Sequence, residues 1–239
     1  SGALDDLLLP GLSPIGVPKN LKGQTVPFQF GDSDALERLV GQGGVGTIIM
    51  EVSRTFRPDV RFLRKVRQIA DSHDCVLIFD ECTSGFRVGP SGLHMELGVE
   101  PDVATYGKAL GNGYAITAVV GREEVMQVAQ SSFVSSTFWS ERIGPTAALA
   151  TLDEMARLES WEKLVAAGRQ VKNGWTQIGE QSGVDIRISG LDPLASLTFL
   201  NCPNELEARS YVTQEMLDKG FLASNSLFLS TAHSKRSIE

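Results

Sequence analysis

The sequence predicts an α/β fold, a mainly parallel sheet flanked by helices, followed by part of a small α+β unit. Three observations carry this. Two unbroken apolar runs, Thr47-Ile48-Ile49-Met50 and Cys75-Val76-Leu77-Ile78-Phe79, bracket one stretch of helical periodicity. Strand, helix, strand with such apolar strands marks a parallel sheet covered on both faces. Both runs also close on carboxylates, Glu51 and then Asp80-Glu81. Finally, the period changes after Gly183, from alternating strands and helices to two strands, a helix and two short strands.

In chain order, residues 1–30 carry loop signals, with Pro10, Pro14, Pro18 and Pro27. Such an opening suits the middle of a larger fold better than the start of an independent domain. Asp34 and Glu37 have capping-box spacing and predict a short helix through Leu36, Leu39 and Val40, ended by Gly41, Gly43, Gly44 and Gly46. Val60, Leu63, Val66, Ile69 and Ala70, with Phe62 beside them, predict a helix over residues 58–72. Residues 82–102 form a loop-rich connection with Gly85, Gly89, Gly92 and Pro101. A short β-type run from Val103 then ends at Lys108, and a second apolar run, 114–120, follows a glycine turn.

Residues 122–129 read as a short helix and 131–136 as a polar bend. Pro145 is placed as a first helical residue, ahead of Ala148, Leu152 and Met155. Helical pattern continues through Trp161, Leu164, Val171 and Trp175. Beyond it, strands are expected at 184–189 and 195–200, a helix at 205–219, and short strands at 221–223 and 227–229. A domain boundary is placed near residue 157, giving a larger unit over 1–157 and a partial small one over 158–239.

Composition narrows the function classes. The 239 residues carry a net charge of −7 with no lysine/arginine block, which argues against nucleic-acid and anionic-membrane partners. No apolar run approaches membrane-spanning length. The three cysteines, Cys75, Cys82 and Cys202, are odd in number and widely spaced, as expected in a reducing, cytoplasmic compartment. His73, His94 and His233 lack ligand-like spacing, so no metal site is expected.

Two residues at strand ends carry the candidate chemistry. Asp80 directly follows four apolar residues, where a carboxylate must be paired or hydrogen-bonded. Lys108 ends the next strand, so both are expected to face one crevice at the sheet edge, where open α/β sheets bind ligands. A carboxylate that keeps a pyridine nitrogen protonated, with a lysine that forms an imine, is the arrangement of pyridoxal-phosphate chemistry. Glu81, on the opposite side of the strand, reads as structural.

The runs Ile48-Ile49-Met50-Glu51, Phe62-Leu63, Leu77-Ile78-Phe79-Asp80-Glu81, Ser84-Gly85-Phe86-Arg87, Gly98-Val99-Glu100-Pro101-Asp102 and Thr105-Tyr106-Gly107-Lys108, leading to Gly113, occur in this order. On these runs, residues 48–155 resemble the class III (fold type I) pyridoxal-phosphate aminotransferases, particularly the glutamate-1-semialdehyde aminomutase branch. The resemblance implies that Lys108 is the Schiff-base lysine and that Asp80 binds the pyridine nitrogen of pyridoxal 5'-phosphate. It places Cys82 where the family has Val or Ile against the ring. It makes Thr137, with Ser136, the group that reaches the cofactor phosphate of a neighbouring subunit, so that a homodimer shares its sites.

Two departures stand out. Val52 replaces the family's proline after Glu51, and Ser136-Thr137-Phe138-Trp139-Ser140-Glu141-Arg142 differs from the Gly-Thr-Leu-Ser-Gly-Asn-Pro-like run of the aminomutases. The family's phosphate-cradling Gly/Ser/Thr loop and ring-stacking aromatic are expected in an N-terminal portion outside this chain. Three functions therefore stay open: an aminotransferase acting on an amino donor and a carbonyl acceptor, an aminomutase, and an inactive fragment serving as a binding or dimerisation module.

Overall fold

The structure, a computed structural model, describes residues 18, 20, 23–53 and 59–238. Four strands form the first sheet: β1 (Thr47–Glu51), β2 (Val76–Asp80), β3 (Val103–Tyr106) and β4 (Ala118–Gly121), in that spatial order. β1, β2 and β3 are parallel, with Glu51 opposite Asp80 and Asp80 opposite Thr105. β4 runs antiparallel to β3, so the apolar run expected over 114–120 becomes strand only from Ala118.

Strand alternation gives this sheet two unlike faces. Ile48, Met50, Leu77 and Phe79 point to one side and are buried against Phe62, Leu63, Val66, Ile69 and Ala70 of helix α2 (Val60–Ser72). Leu36 and Val40 of helix α1 (Ser33–Gly41) join the same core. Ala104 and Tyr106 continue that face and pack with Leu110 and with Ala148 of helix α5 (Ile143–Leu158). By the same alternation Thr47, Ile49, Val76, Ile78, Asp80 and Thr105 face the other way. Ile49 there is 56% exposed and Ile78 and Asp80 are half-buried. The expected cover on both faces is thus present on one face only among the described residues.

Several local readings shift for identifiable reasons. The first 17 residues and the expected helix start at 58 lie outside the described residues. Asp32, not Asp34, caps α1: its Oδ1 accepts from Ala35 N at 2.8 Å, while Glu37 pairs with Lys65 at 2.9 Å. The connection 82–102 contains a short helix, α3 (Leu93–Leu97), ended by Gly98 in the left-handed region. Helix α4 (Glu123–Met126) runs on into a 3₁₀ turn, Gln127–Ser131. α5 starts two residues before Pro145, because both carboxylate oxygens of Glu141 accept from the first-turn amides of Ile143 and Gly144.

α5 stops at Leu158, where Glu159 takes a left-handed φ of 48°, and helix α6 (Ser160–Ser182) follows. A second, antiparallel sheet has the order β5 (Ile186–Ser189), β6 (Leu194–Phe199), β7 (Ser226–Phe228). Helix α7 (Glu205–Asp218) precedes β7, and α8 (Lys235–Ile238) ends the described chain. Residues 221–223, expected as strand, instead form a loop tied by Phe221 N to Met216 O at 2.9 Å. α6 lies against the turn before β6 so closely that a Cβ on Gly168 would stand 1.9 Å from Asp192 O. Arg169 and Lys172 clamp the same Asp192 at 3.0 and 3.1 Å. Leu191 of this turn and Leu194, the first residue of β6, enter the core beneath the first sheet.

Candidate active site

Two adjacent acids end β2, and the pleat sends them to opposite sides. Glu81 goes inward and is fully buried. Its Oε1 accepts from His94 N at 2.8 Å and from His94 Nδ1 at 2.9 Å, and its Oε2 accepts from the Ser84 hydroxyl. Both oxygens are thereby satisfied, which supports its reading as structural. Asp80 stays on the open face, half-buried, and only its Oδ1 is used, accepting from Cys82 N at 2.9 Å and Thr105 Oγ1 at 3.3 Å. Oδ2 accepts no hydrogen bond among the described residues.

The turn after β2 brings the other groups to the same edge. Gly85 is required there: a Cβ would meet Glu81 O at 2.7 Å and the Tyr106 ring at 2.8 Å. Lys108 does not end β3. It stands two residues past Tyr106, opening a 3₁₀ turn (Lys108–Leu110) with a φ of 45°, a left-handed conformation uncommon for a side chain with a Cβ. That turn carries the amine back over the edge, where Nζ donates to Thr83 Oγ1 at 2.6 Å.

Cys82 neighbours both the carboxylate and the amine. A Cβ on Gly107 would stand 3.3 Å from its Sγ. Burial pushes the Cys82 thiol up, and the neighbouring Asp80 carboxylate pushes it further, while Thr105 and the Lys108 cation pull against them. Both charges therefore act on one half-buried sulfur, which stays protonated at neutral pH and fills space as a small apolar group.

Ser136 and Thr137 are not joined to these groups by any hydrogen bond. They lie in an exposed bend, where Ser136 Oγ accepts from Phe138 N at 3.2 Å. Around them Phe133 is 99%, Phe138 74% and Trp139 72% exposed. Thr83 escaped sequence reading, because its bond to Lys108 spans 25 positions and no local pattern marks it. No group of three or more His, Cys, Asp or Glu among the described residues could hold a metal, and no described helix is long and apolar enough to cross a membrane.

Comparison with known proteins places the chain. The family model for aminotransferase class-III matches residues 40–226. The 3-aminobutyryl-CoA aminotransferase of Cloacimonas acidaminovorans is 35% identical over 193 residues, 77% of this chain and 47% of that protein. The glutamate-1-semialdehyde 2,1-aminomutase of Methanothrix thermoacetophila is 31% identical over 94% of this chain and 56% of its own length. The chain thus spans about half the length of the curated relatives it matches. Among solved structures, an omega-transaminase from Sphaerobacter thermophilus superposes with a TM-score of 0.83 at 24% identity, covering 93% of this chain and 56% of that one. A transaminase solved with pyridoxal phosphate bound gives 0.86 at 22%, covering 94% and 57%. At these identities the structures establish a shared fold.

Proposed function

Because the chain belongs to the class-III aminotransferases, a pyridoxal-phosphate family, we propose that the complete protein transfers an amino group from an amino donor to a carbonyl acceptor. The observation that carries this is that Asp80 and Lys108 both bond to the turn after β2 and both act on the Cys82 thiol. The residues fit pyridoxal phosphate. Asp80 keeps one carboxylate oxygen without a donor among the described residues, as a partner for a pyridine N–H requires. Cys82 offers an uncharged sulfur for a flat ring to lie against. The Lys108 amine is held by a neutral hydroxyl, with no carboxylate bonded to it among the described residues.

When bound, pyridoxal phosphate supplies the electron sink that makes a substrate α-proton removable. Asp80 holds the ring nitrogen protonated. Lys108 would hold the cofactor through its Nζ, and the same amine, when free, would take the substrate α-proton and give it back as general base and then acid. Ser136 and Thr137, with their backbone amides, bind phosphate in a neighbouring subunit of a homodimer. The apolar side chains beside them, Phe133, Phe138 and Trp139, are exposed as a docking surface would have them. A cytoplasmic setting suits the three free thiols.

Reduction of the complete protein with borohydride in the presence of pyridoxal phosphate tests the reading. A cofactor adduct is expected on Lys108, with turnover lost in Lys108→Ala. An adduct on another lysine, or none, overturns it and leaves a binding or dimerisation module. The second reading is intramolecular transfer, favoured by the similarity to an aminomutase over 94% of the chain. Turnover of a single amino-aldehyde without an external donor would select it.

A further inference from the structure

We infer that Thr83 belongs to the proton-transfer machinery: its hydroxyl is the seat that holds the Lys108 amine between proton transfers. The inference rests on the reading of Lys108 as the reactive lysine, and it is carried by the 2.6 Å bond from Nζ to Thr83 Oγ1.

The turn around Thr83 is tied down at every residue. Cys82 N donates to Asp80 at 2.9 Å, Arg87 Nε donates to Thr83 O at 3.2 Å, and Gly85 N donates to Glu81 O at 2.8 Å. Ser84 adds its hydroxyl bond to buried Glu81. Arg87 is itself half-buried, and burial pushes its guanidinium down from the usual arginine value; its ring contact with Phe228 at 5.9 Å helps to fix it. Such a shell holds one hydroxyl at a fixed point.

The chemistry favours a hydroxyl there. A free lysine side chain has a large rotamer freedom to lose before it can act, and a fixed acceptor removes part of that cost. A carboxylate in the same place would hold the amine as an ammonium too firmly for a base. A neutral hydroxyl accepts one N–H from either protonation state. When Nζ takes the substrate proton, the ammonium keeps its bond to Thr83 and swings the same proton to the next carbon. Protons balance within the cycle, and no other reactant is needed.

The test uses the complete protein as wild type, Thr83→Val and Thr83→Ser. With Thr83→Val, kcat should fall about tenfold to a hundredfold, the size of one hydrogen bond to a charged group. KM for the donor should change little, and the primary isotope effect with α-deuterated donor should rise. Thr83→Ser should restore wild-type behaviour. In cofactor-free protein, competitive acylation read by mass spectrometry should label Lys108 faster in Thr83→Val than in wild type or Thr83→Ser. Unchanged kcat, isotope effect and labelling in a folded Thr83→Val protein would overturn the inference. If borohydride places no adduct on Lys108, the aminotransferase reading fails instead, and the labelling comparison still decides whether Thr83 holds that amine.

Discussion

Asp80 and Glu81 are neighbours in sequence and identical in charge, yet the structure uses them in opposite ways. Glu81 turns into the packed face, where two donors from His94 and the Ser84 hydroxyl satisfy it. Asp80 turns to the open face and keeps an oxygen to spare. The pleat of β2 decides this: one residue of register sets whether a carboxylate is buried in the fold or stands on the open face. The same division separates Leu77 and Phe79, which make the core, from Ile78 and Thr105, which lie alongside Asp80.

Substitutions test that division directly. Asp80→Asn keeps an acceptor for Cys82 N but loses the charge, so turnover should fall by about 10²–10³-fold. Unfolding free energy should move by less than about 0.5 kcal/mol. A stability loss as large as the activity loss would erase the contrast. Glu81→Ala should behave the other way, costing about 3 kcal/mol or more of stability as the His94 and Ser84 donors lose their acceptor, which chemical denaturation would measure. Thr137→Ala lies on neither face of the sheet. It should weaken cofactor binding about tenfold, read by spectroscopic titration, and leave thermal stability unchanged.

The smallest effect concerns Asp102, at the other end of β3. Burial pushes its carboxyl up, but the Leu77 amide, Arg67 and Arg122 outweigh burial and hold it below 3.8. Because the folded value is the lower one, the stability Asp102 supplies is whole above 3.8 and is lost as pH falls through the folded value. Asp102→Asn should therefore flatten the acid limb of the stability curve below about pH 4 and leave the turnover of the Asp80 site intact.

The first sheet and helix α2 were legible because burial wrote them locally. The β-branched runs of β1 and β2 and the 3.6-residue spacing of Val60, Leu63, Val66 and Ile69 need no distant partner to be recognised. The reversal at β4 was hidden, since an apolar run carries no sign of its direction. The cap of α1 was misplaced by two residues because Asp32 and Asp34 are both acceptable caps, and only the chain's approach angle chooses between them. In the site, Asp80 and Lys108 showed themselves through position after apolar runs. Thr83, His94 and Arg87 did not, because each acts through a partner brought near by folding.

The left-handed backbone at Lys108 has a bearing on the stability of the fold. A side chain with a Cβ costs about 1–2 kcal/mol in that conformation, a penalty glycine escapes. Replacing Lys108 by glycine would thus relieve the fold, whereas keeping lysine burdens it. A Lys108→Gly protein that melts above Lys108→Ala would measure that penalty.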